Sequence, residues 1–287
     1  MGIFRSLKTT LEMIKWEHSI FALPFALSGA MLAANGLPRA WQALWIVACM
    51  VMARSAAMAF NRWVDAGFDA HNPRTRMRAI PAGTLSRQFV LGFTVCCSLL
   101  FIAAASQLNR LTLLLSPLAL AIVFFYSLTK RFTRWSHLFL GLALCVSPTA
   151  AWIAVSGALD ARILVLSLAV LFWVAGFDIL YACQDVEFDR EARLWSLPAT
   201  AGVTRAFFYA RSLHVVMILL LLWLVLLFHL GAIGWVGCGV VAALLLWEHS
   251  LVSPQDISRL NAAFFTMNGV ISVLYFLFVA AALLLRW

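Results

Sequence analysis

Charged side chains are scarce in this 287-residue chain. Only 11% of its residues are Asp, Glu, Lys or Arg, and 64% are hydrophobic, whereas a soluble domain has about 25% charged residues. A water-soluble protein is therefore excluded. A basic cluster is also missing: the net charge is +9, but the basic residues are scattered singly among apolar segments. This distribution argues against a nucleic-acid partner and fits membrane orientation better.

Paired cysteines and a cleavable leader are missing as well. The six cysteines include no C-x-x-C pair, and five of them lie within apolar runs, so we expect no disulfide framework. No small-residue cleavage signature follows the N-terminal segment, so we expect nothing to be removed. Residues 1–18 place Leu7, Leu11 and Ile14 at helical spacing, which predicts an amphipathic helix on the membrane surface.

Apolar runs of about 20 residues recur along the whole chain, and a helix of this length crosses a hydrocarbon core of about 30 Å. We expect one all-α domain over residues 1–287, a polytopic helical bundle embedded in the lipid bilayer. The nine predicted spans are about 19–35, 41–60, 89–107, 111–129, 136–156, 162–182, 206–228, 231–251 and 262–284. The seventh and eighth spans are separated only by Leu230–Gly234.

Basic residues accumulate on one side of the predicted spans. The N-terminus and the connections after even-numbered spans carry sixteen Lys and Arg residues, the other side carries four, and Arg54 lies inside the second span. Because short cytoplasmic loops are enriched in Lys and Arg, we expect the N-terminus in the cytoplasm and the C-terminus outside. The expected location is the inner membrane of a bacterium.

The first polar constellation is AFNRWVDAGFDAHNPRTRMRAIPAG, which begins at the cytoplasmic end of the second span. Asn61, Asp65 and Asp69 are spaced i, i+4 and i+8, so they share one face if the helix continues past the membrane. Carboxylates at this spacing can hold Mg²⁺, which keeps several waters and binds substrate phosphates.

The second constellation is GFDILYACQDVEFDREARLWSLPA, at the cytoplasmic end of the sixth span. Four of its polar residues are predicted to lie on a single helical face: Asp178, Tyr181, Asp185 and Asp189. The aspartates of one isolated D-x-x-x-D motif would ordinarily be solvated charges on a cytoplasmic loop. Two of them at membrane ends, each followed by Arg, favour two facing acidic stripes that hold two Mg²⁺ ions around one diphosphate.

Cations near these acids are candidates for binding the remaining phosphate oxygens. Arg74 and Arg78 follow the first motif, and planar guanidinium groups bind phosphate in a bidentate manner. Tyr126 and Lys130 lie one helical turn apart at the end of the fourth span. The alternative for Lys130, with its neighbours Arg131 and Arg134, is that these charges only set the membrane topology.

At these residues the chain resembles the UbiA superfamily of membrane prenyltransferases. The family signatures are N-x-x-x-D-x-x-x-D followed by R-T-x-x-R, then Y-x-x-x-K-R, then D-x-x-Y-A-x-x-D-x-x-x-D, and all are present in this order. The resemblance covers most of the chain. It departs from the usual pattern at Ala79, where Pro is common, and at Arg193, where Gly is frequent, which puts the local turn after the second motif in doubt.

The resemblance implies a role for each matching residue. The expected Mg²⁺ ligands are Asp65, Asp69, Asp185 and Asp189, with Asn61 supporting the first pair. The expected diphosphate contacts are Arg74, Arg78, Tyr126 and Lys130. Asp178 and Tyr181 match positions near the reacting carbon and the acceptor.

The opening KWEHSIFALPFALSGAMLA resembles the branch described as 4-hydroxybenzoate polyprenyltransferase-like, which includes enzymes that prenylate a dihydroxynaphthoate on the futalosine route to menaquinone. The acceptor is therefore one of two aromatic acids of quinone synthesis. Arg54 is a candidate partner for the acceptor carboxylate, or a snorkelling residue near a helix end. Glu17 and His18 are weaker candidates for the site.

The implied reaction is Mg²⁺-dependent transfer of a polyprenyl group from its diphosphate to an electron-rich aromatic ring. Two alternatives stay open. One is the same chemistry on haem, chlorophyll or lipid-ether acceptors, against which only the N-terminal resemblance argues. The other is a transporter or quinone-binding subunit, although the chain shows no acid in the middle of a span and no paired histidines for haem.

Overall fold

The computed structural model describes residues 3–14 and 19–285, and this part of the chain is almost entirely helical. Its helices are α1 (Ile3–Ile14), α2 (Ser19–Ala34), α3 (Ala40–His71), α4 (Arg87–Ser106), α5 (Arg110–Thr129), α6 (Ser136–Ser156), α7 (Ile163–Ala182), α8 (Val186–Glu191), α9 (Leu197–Ala201), α10 (Val203–Leu227), α11 (Gly231–Ser250) and α12 (Leu260–Leu284). Among the described residues, eight helices are long and apolar enough to cross a membrane, and α2 contributes a shorter apolar segment. The predicted all-α membrane bundle of about nine spans is confirmed.

Helix α3 is longer than a bilayer requires. Its 32 residues extend over about 48 Å at 1.5 Å per residue, whereas the hydrocarbon core is about 30 Å thick. The predicted second span ended near residue 60, but the helix continues to His71. The first acidic motif therefore lies on a helical extension beyond the apolar part of α3, as its spacing predicted.

Helix α7 occupies the centre of the bundle. It packs against α6 and α10, and its neighbours also include α2 and α12. In its most apolar 18-residue stretch 72% of the residues are buried inside the protein, against 17–50% in the other spanning helices. Trp173, Val170 and Leu166 are completely buried. The second acidic motif therefore begins on a helix that is surrounded by protein rather than by lipid.

Small residues allow the central helices to approach closely. A Cβ atom at Gly29 of α2 would collide with the backbone carbonyl of Pro148 in α6. At Gly176 of α7 it would collide with the imidazole of His214, which α10 inserts at this point. Such close contacts replace the hydrophobic effect as the attraction between helices in a membrane. The first contact holds α2 against α6, and the second holds α7 against α10.

The N-terminal helix predicted from the sequence is present as α1. Met13 and Ile14 are buried against Ala59 of α3 and Val90 of α4, whereas Leu11 is exposed. The buried side of α1 therefore packs on the bundle near the first acidic motif. The candidates Glu17 and His18 lie outside the described residues.

Candidate active site

The first acidic motif forms one stripe on α3. Asn61 donates a hydrogen bond from Nδ2 to Asp65 Oδ2 at 2.9 Å. Asp69, one turn further, is buried and accepts two hydrogen bonds from Arg78 at 2.7 and 2.9 Å. Arg131 donates to Asp65 Oδ1 at 3.2 Å. Each carboxylate of the first motif therefore has a fixed partner.

A neighbouring arginine that the sequence analysis did not identify orients Asn61. Arg62 is buried and donates from its guanidinium to Asn61 Oδ1 at 3.2 Å. Because the amide oxygen of Asn61 is occupied in this way, its nitrogen turns toward Asp65 and Ser127. Asn61 thus supports the first carboxylate as a hydrogen-bond donor.

The second acidic motif does not lie on one continuous helical face, so that prediction is wrong. Helix α7 ends at Ala182, a 3₁₀ turn occupies Cys183–Asp185, and α8 begins at Val186. Asp185 has backbone angles of φ −108° and ψ 10°, outside the α-helical range. The carboxylates therefore divide between two helices and the turn that joins them.

Residues from the loop after α3 explain this interruption. The Asn72 amide donates to Asp185 Oδ1 at 3.2 Å, and Arg74 Nε donates to the same oxygen at 2.9 Å. A second guanidinium nitrogen of Arg74 pairs with Asp185 Oδ2. These bonds draw Asp185 toward the loop, away from the position that a regular helix would give it.

Asn72 also shapes the loop that presents Arg74. Its side-chain oxygen accepts the backbone N–H of Arg74 at 2.9 Å, which is an Asx-turn. Arg74 donates to the Tyr181 hydroxyl at 3.0 Å, and its guanidinium carbon lies 5.2 Å from the centre of the Tyr181 ring. Arg74 therefore links the two motifs, whereas Arg78 pairs with Asp69 of its own motif.

Lys130 lies at the end of α5 among the carboxylates of both motifs. Burial by itself lowers the pKa of Lys130, but the negative charges of nearby Asp189, Asp178, Asp185 and Asp65 outweigh burial and raise it above its ordinary value. The pKa of Arg74 is also raised, because its bonds to Asp185 outweigh the cost of burial. Both side chains therefore remain cationic at neutral pH.

Asp178 has a histidine partner that no motif in the sequence indicates. His137 Nδ1 lies 2.7 Å from Asp178 Oδ2. The His137 ring is buried, and its Nε2 accepts the backbone N–H of Leu197 at 3.3 Å. No spacing rule connects residues 137 and 178 in the sequence, so only the packing of α6 against α7 reveals the pair.

The doubtful turn after the second motif does form. Leu194 N–H donates to the carbonyl of Asp189 at 2.8 Å, and Arg193 N–H donates to that of Arg190 at 3.3 Å. This pattern closes α8 as a left-handed C-cap. Arg193 occupies the left-handed position with φ +54°, which explains why glycine is favoured there. Its side chain is exposed.

These residues enclose a polar cavity of about 530 Å³ between the ends of α3, α5 and α7. All the predicted site residues that the structure describes line it: Arg54, Asn61, Asp65, Asp69, Arg74, Arg78, Tyr126, Lys130, Asp178, Tyr181, Asp185 and Asp189. The structure therefore brings together two motifs that are more than 100 residues apart in the sequence.

A second, mainly apolar cavity of about 260 Å³ adjoins the polar one. It lies between α3, α5 and α6, and both cavities share the lining residues Arg54, Met58, Tyr126, Leu140 and Leu144. Arg54 Nε is buried and has no hydrogen-bond partner among the described residues. Arg54 therefore has an N–H donor without an acceptor in the described part of the chain, at the junction of the polar and the apolar cavity.

Sequence comparison identifies bacterial relatives with one named activity. The chain is 30% identical over 239 residues to 4-hydroxybenzoate octaprenyltransferase of Cupriavidus necator, covering 82% of each chain. It is 31% identical over 245 residues to the enzyme of the same name from Nitrosospira multiformis, covering 84% of this chain and 83% of the relative.

Structural comparison identifies the same fold. A UbiA homolog from Aeropyrum pernix, described in its apo form, superposes with a TM-score of 0.83 at 31% identity, covering 94% of this chain and 98% of the other. A UbiA homolog from Archaeoglobus fulgidus bound to DMAPP and Mg²⁺ superposes with a TM-score of 0.76 at 20% identity, covering 96% and 99%.

The family model of the UbiA prenyltransferases matches residues 22–270, a range that includes both acidic motifs, Arg54, the arginine loop and Lys130. The relatives extend over more than four-fifths of the chain. This chain belongs to the UbiA prenyltransferase family and is a membrane enzyme that transfers prenyl groups.

Proposed function

We propose that the enzyme transfers a polyprenyl group from polyprenyl diphosphate to an aromatic acid of the 4-hydroxybenzoate type, in the synthesis of ubiquinone or menaquinone. The observation that carries the proposal is the junction of the two cavities. A chamber with acids and arginines suits a metal-bound diphosphate, the adjoining chamber suits an isoprenoid chain, and Arg54 lies between them. The names of the Cupriavidus and Nitrosospira relatives support the same acceptor class.

The donor's diphosphate would be held by the cations of the polar cavity. Arg74, Arg78 and Lys130 all line this cavity, and guanidinium groups bind phosphate oxygens in a bidentate manner. The Tyr126 hydroxyl would add a neutral donor. In the arrangement described above, Arg74 and Arg78 are paired with Asp185 and Asp69. Entry of a diphosphate would therefore redistribute these arginines between carboxylates and phosphates.

The carboxylates of both motifs fit Mg²⁺ as a bound cofactor. Within the described part of the chain no three acidic, His or Cys side chains converge on one metal position, but Mg²⁺ is usually held by one or two carboxylates with waters and substrate phosphates. Asp65 with Asp69, and Asp185 with Asp189, supply two such pairs. Asp189 Oδ2 is buried without a hydrogen-bond partner among the described residues, so this oxygen would be available to a metal ion.

The aromatic acceptor would bind at Arg54. Removing a carboxylate from water is costly unless it is paired with a cation and hydrogen-bonded. Arg54 offers such a partner at the boundary of the apolar chamber, which Tyr126 also lines. This position would direct the acceptor ring toward the first carbon of the prenyl chain.

The proposed reaction begins with heterolysis of the allylic C–O bond, whose electron pair leaves with the diphosphate. Lys130, Arg74 and Arg78 would stabilise the negative charge that develops on the leaving oxygens. When bound, Mg²⁺ would neutralise part of the same charge. The aromatic ring then forms a C–C bond to the allylic carbon, and the ring carbon loses its proton. The products are a prenylated aromatic acid, diphosphate and one proton.

One assay tests this function directly. Purified protein would be incubated with Mg²⁺ and a polyprenyl diphosphate, and separately with 4-hydroxybenzoate or a dihydroxynaphthoate, while prenylated acid and diphosphate are measured. We expect one acid to be prenylated and EDTA to abolish the product. Lack of product with both acids would reject the acceptor class, even if the enzyme prenylates a lipid or a tetrapyrrole.

We also propose that the polar cavity opens toward the cytoplasm of a bacterial cell. The cavity lies at the end of the bundle where α3, α5 and α7 terminate, the same side on which sixteen of the 21 basic residues fall. A cysteine introduced at Ala70, which is exposed, should react with an impermeant maleimide only after the cells are opened, with the unmodified chain as the background control. Labelling of intact cells from outside would reverse the proposed orientation.

A further inference from the structure

His137 joins three separate parts of the active-site region. It projects from the first turn of α6, its Nδ1 contacts Asp178 of α7, and its Nε2 contacts the backbone of Leu197 at the start of α9. Only 1% of its side chain is exposed, against 20% for Asp178. The imidazole is therefore enclosed by protein, whereas the carboxylate that it contacts faces the polar cavity.

The two contacts determine which nitrogen of His137 carries the proton. The backbone N–H of Leu197 can only donate, so Nε2 must act as an acceptor and carries no hydrogen. The ring is then neutral with its hydrogen on Nδ1, and it donates that hydrogen to Asp178 Oδ2 at 2.7 Å. A backbone amide thus selects the tautomer that Asp178 needs, in the way that a third group orients the base in other catalytic sites.

The segment that supplies this amide is itself anchored beside the diphosphate-binding cations. Trp195 N–H donates to the carbonyl of Lys130 at 2.7 Å. Two residues later Leu197 N–H reaches His137. Ser196, between them, is fully buried and caps α9 by accepting from Ala199 N–H. This connection between α8 and α9 therefore fixes Lys130 and His137 relative to each other.

We propose that His137 is a positioning residue for the acceptor side of the reaction. By holding Oδ2 of Asp178 it fixes the carboxylate plane and leaves Oδ1 for a group in the cavity, such as the acceptor hydroxyl or the ring hydrogen that must leave. The inference rests on the proposed transfer to an aromatic acid. It gives His137 no direct contact with substrate, so its influence on the reaction passes through Asp178.

Two conservative substitutions separate the two hydrogen bonds of His137. The amide nitrogen of Asn occupies nearly the position of histidine Nδ1, so His137→Asn retains the donor to Asp178 and loses the acceptor for Leu197. The side-chain oxygen of Gln reaches the position of Nε2, so His137→Gln retains the acceptor for Leu197 and loses the donor to Asp178. Both variants remain polar and close to histidine in size.

The proposal predicts opposite rank orders for turnover and stability. We expect kcat within a few-fold of the unmodified enzyme for His137→Asn and lower by about 10- to 100-fold for His137→Gln, the usual effect of removing a supporting partner of a site residue. Thermal stability should fall more in His137→Asn, which leaves the Leu197 N–H buried without a partner. A purely structural role predicts that turnover follows stability, with Gln the better replacement, and this result would overturn the proposal.

A double-mutant cycle protects the test against a variant that fails to fold. In an Asp178→Asn background, His137→Gln should lower kcat little further, because the carboxylate that His137 positions is already absent. Fully additive effects on kcat would overturn the proposal. In His137→Gln and in the Asp178→Asn variants the KM for the prenyl diphosphate should change less than kcat, since the cations that bind it are intact.

A spectroscopic readout separates failure of this inference from failure of the proposed function. In ¹⁵N-histidine-labelled protein in nanodiscs, the resonance lost in His137→Gln should report a neutral ring protonated at Nδ1, whether or not the enzyme prenylates an aromatic acid. A ring protonated only at Nε2 would overturn the proposal even in an active enzyme. Absence of transfer to any aromatic acid, with the expected resonance present, would reject the proposed function instead.

Discussion

The two acidic motifs have the same spacing but hold their carboxylates in different ways. Asp65 and Asp69 lie on an uninterrupted helix whose register alone places them on one face. Asp185 lies in the turn between α7 and α8, and Asp189 follows it on α8. Asp185 is held by Asn72 and by Arg74 from a loop more than 100 residues earlier. The first motif is organised by local structure, whereas the second depends on tertiary contacts.

The difference shows that the loop after α3 is part of the second motif as much as of the first. Arg78 forms a salt bridge with Asp69, which belongs to the first motif. Arg74 instead binds Asp185 and Tyr181 of the second motif. Changes to the first motif should leave the geometry of the second motif intact. Changes to Arg74 should alter the geometry of the second motif.

The largest expected effect is the loss of any one of the four proposed metal ligands. Substitution to Asn at Asp65, Asp69, Asp185 or Asp189 should lower kcat by at least about 10²-fold, because charge stabilisation of the leaving diphosphate is lost. The matched control is Glu187→Gln, since Glu187 lies between two of the ligands but is exposed. Turnover would be measured on protein that elutes normally from a gel-filtration column. Near-normal turnover in two of the four variants at saturating Mg²⁺ would refute the two-motif site.

The next largest effect should separate the two arginines. Arg74→Gln and Arg78→Gln should each raise the KM for the prenyl diphosphate by about 10-fold or more, because a charge-assisted phosphate contact is lost. Both substitutions should lower the melting temperature, because each leaves a buried carboxylate without its guanidinium partner. Arg74→Gln should lower it more, since it also removes the link between the motifs. Arg76→Gln is the control, because Arg76 lies between them and is exposed. Equal losses of stability at positions 74 and 78 would contradict the contrast drawn between the motifs.

A smaller effect is expected at Arg54, which belongs to neither motif. Arg54→Ala should raise the KM for the aromatic acid by about 10-fold and leave the KM for the diphosphate nearly unchanged, because it removes binding of only one substrate. Arg54→Lys, which keeps the positive charge, should recover part of the affinity. If both KM values rise together, Arg54 contributes to the structure of the site and the acceptor carboxylate has another partner.

The smallest effect concerns the turn that closes the second motif. Arg193→Gly should increase the free energy of unfolding by up to about 1 kcal/mol, because a non-glycine residue with φ +54° is strained. Arg193→Ala removes the same side chain but keeps the Cβ atom, so its melting temperature should stay close to that of the unmodified enzyme. An equal gain with alanine would mean that charge, rather than backbone strain, limits stability here.

The sequence was sufficient to predict the spans, because apolar runs of membrane length are separated by short polar connections. It also predicted the helical stripe of the first motif, since Asn61, Asp65 and Asp69 follow one helical period. The break at Cys183–Asp185 was not predictable in this way. The same spacing occurs in both motifs, and only the bonds from Asn72 and Arg74 interrupt the second.

The contacts of His137 and Arg62 could not be predicted from sequence patterns either. His137 pairs with a residue 41 positions away, on a helix whose rotation relative to α6 no periodicity reveals. Arg62 resembled a topology-setting charge at the end of a span, but it is buried and orients Asn61. Burial and pairing of a charged side chain depend on which helices meet, and that information is spread over the whole chain.

The unequal environments of α3 and α7 have a consequence for the surrounding bilayer. Helix α7 is enclosed by protein, whereas only 28% of the apolar stretch of α3 is buried, so α3 has a much larger boundary with lipid. A helix exposed to lipid adjusts to bilayer thickness by tilting, while an enclosed helix is held by its neighbours. Tilt of α3 would move Asp65 and Asp69 relative to Asp185 and Asp189, so we expect the distance between the two halves of the proposed diphosphate site to depend on the acyl-chain length of the membrane.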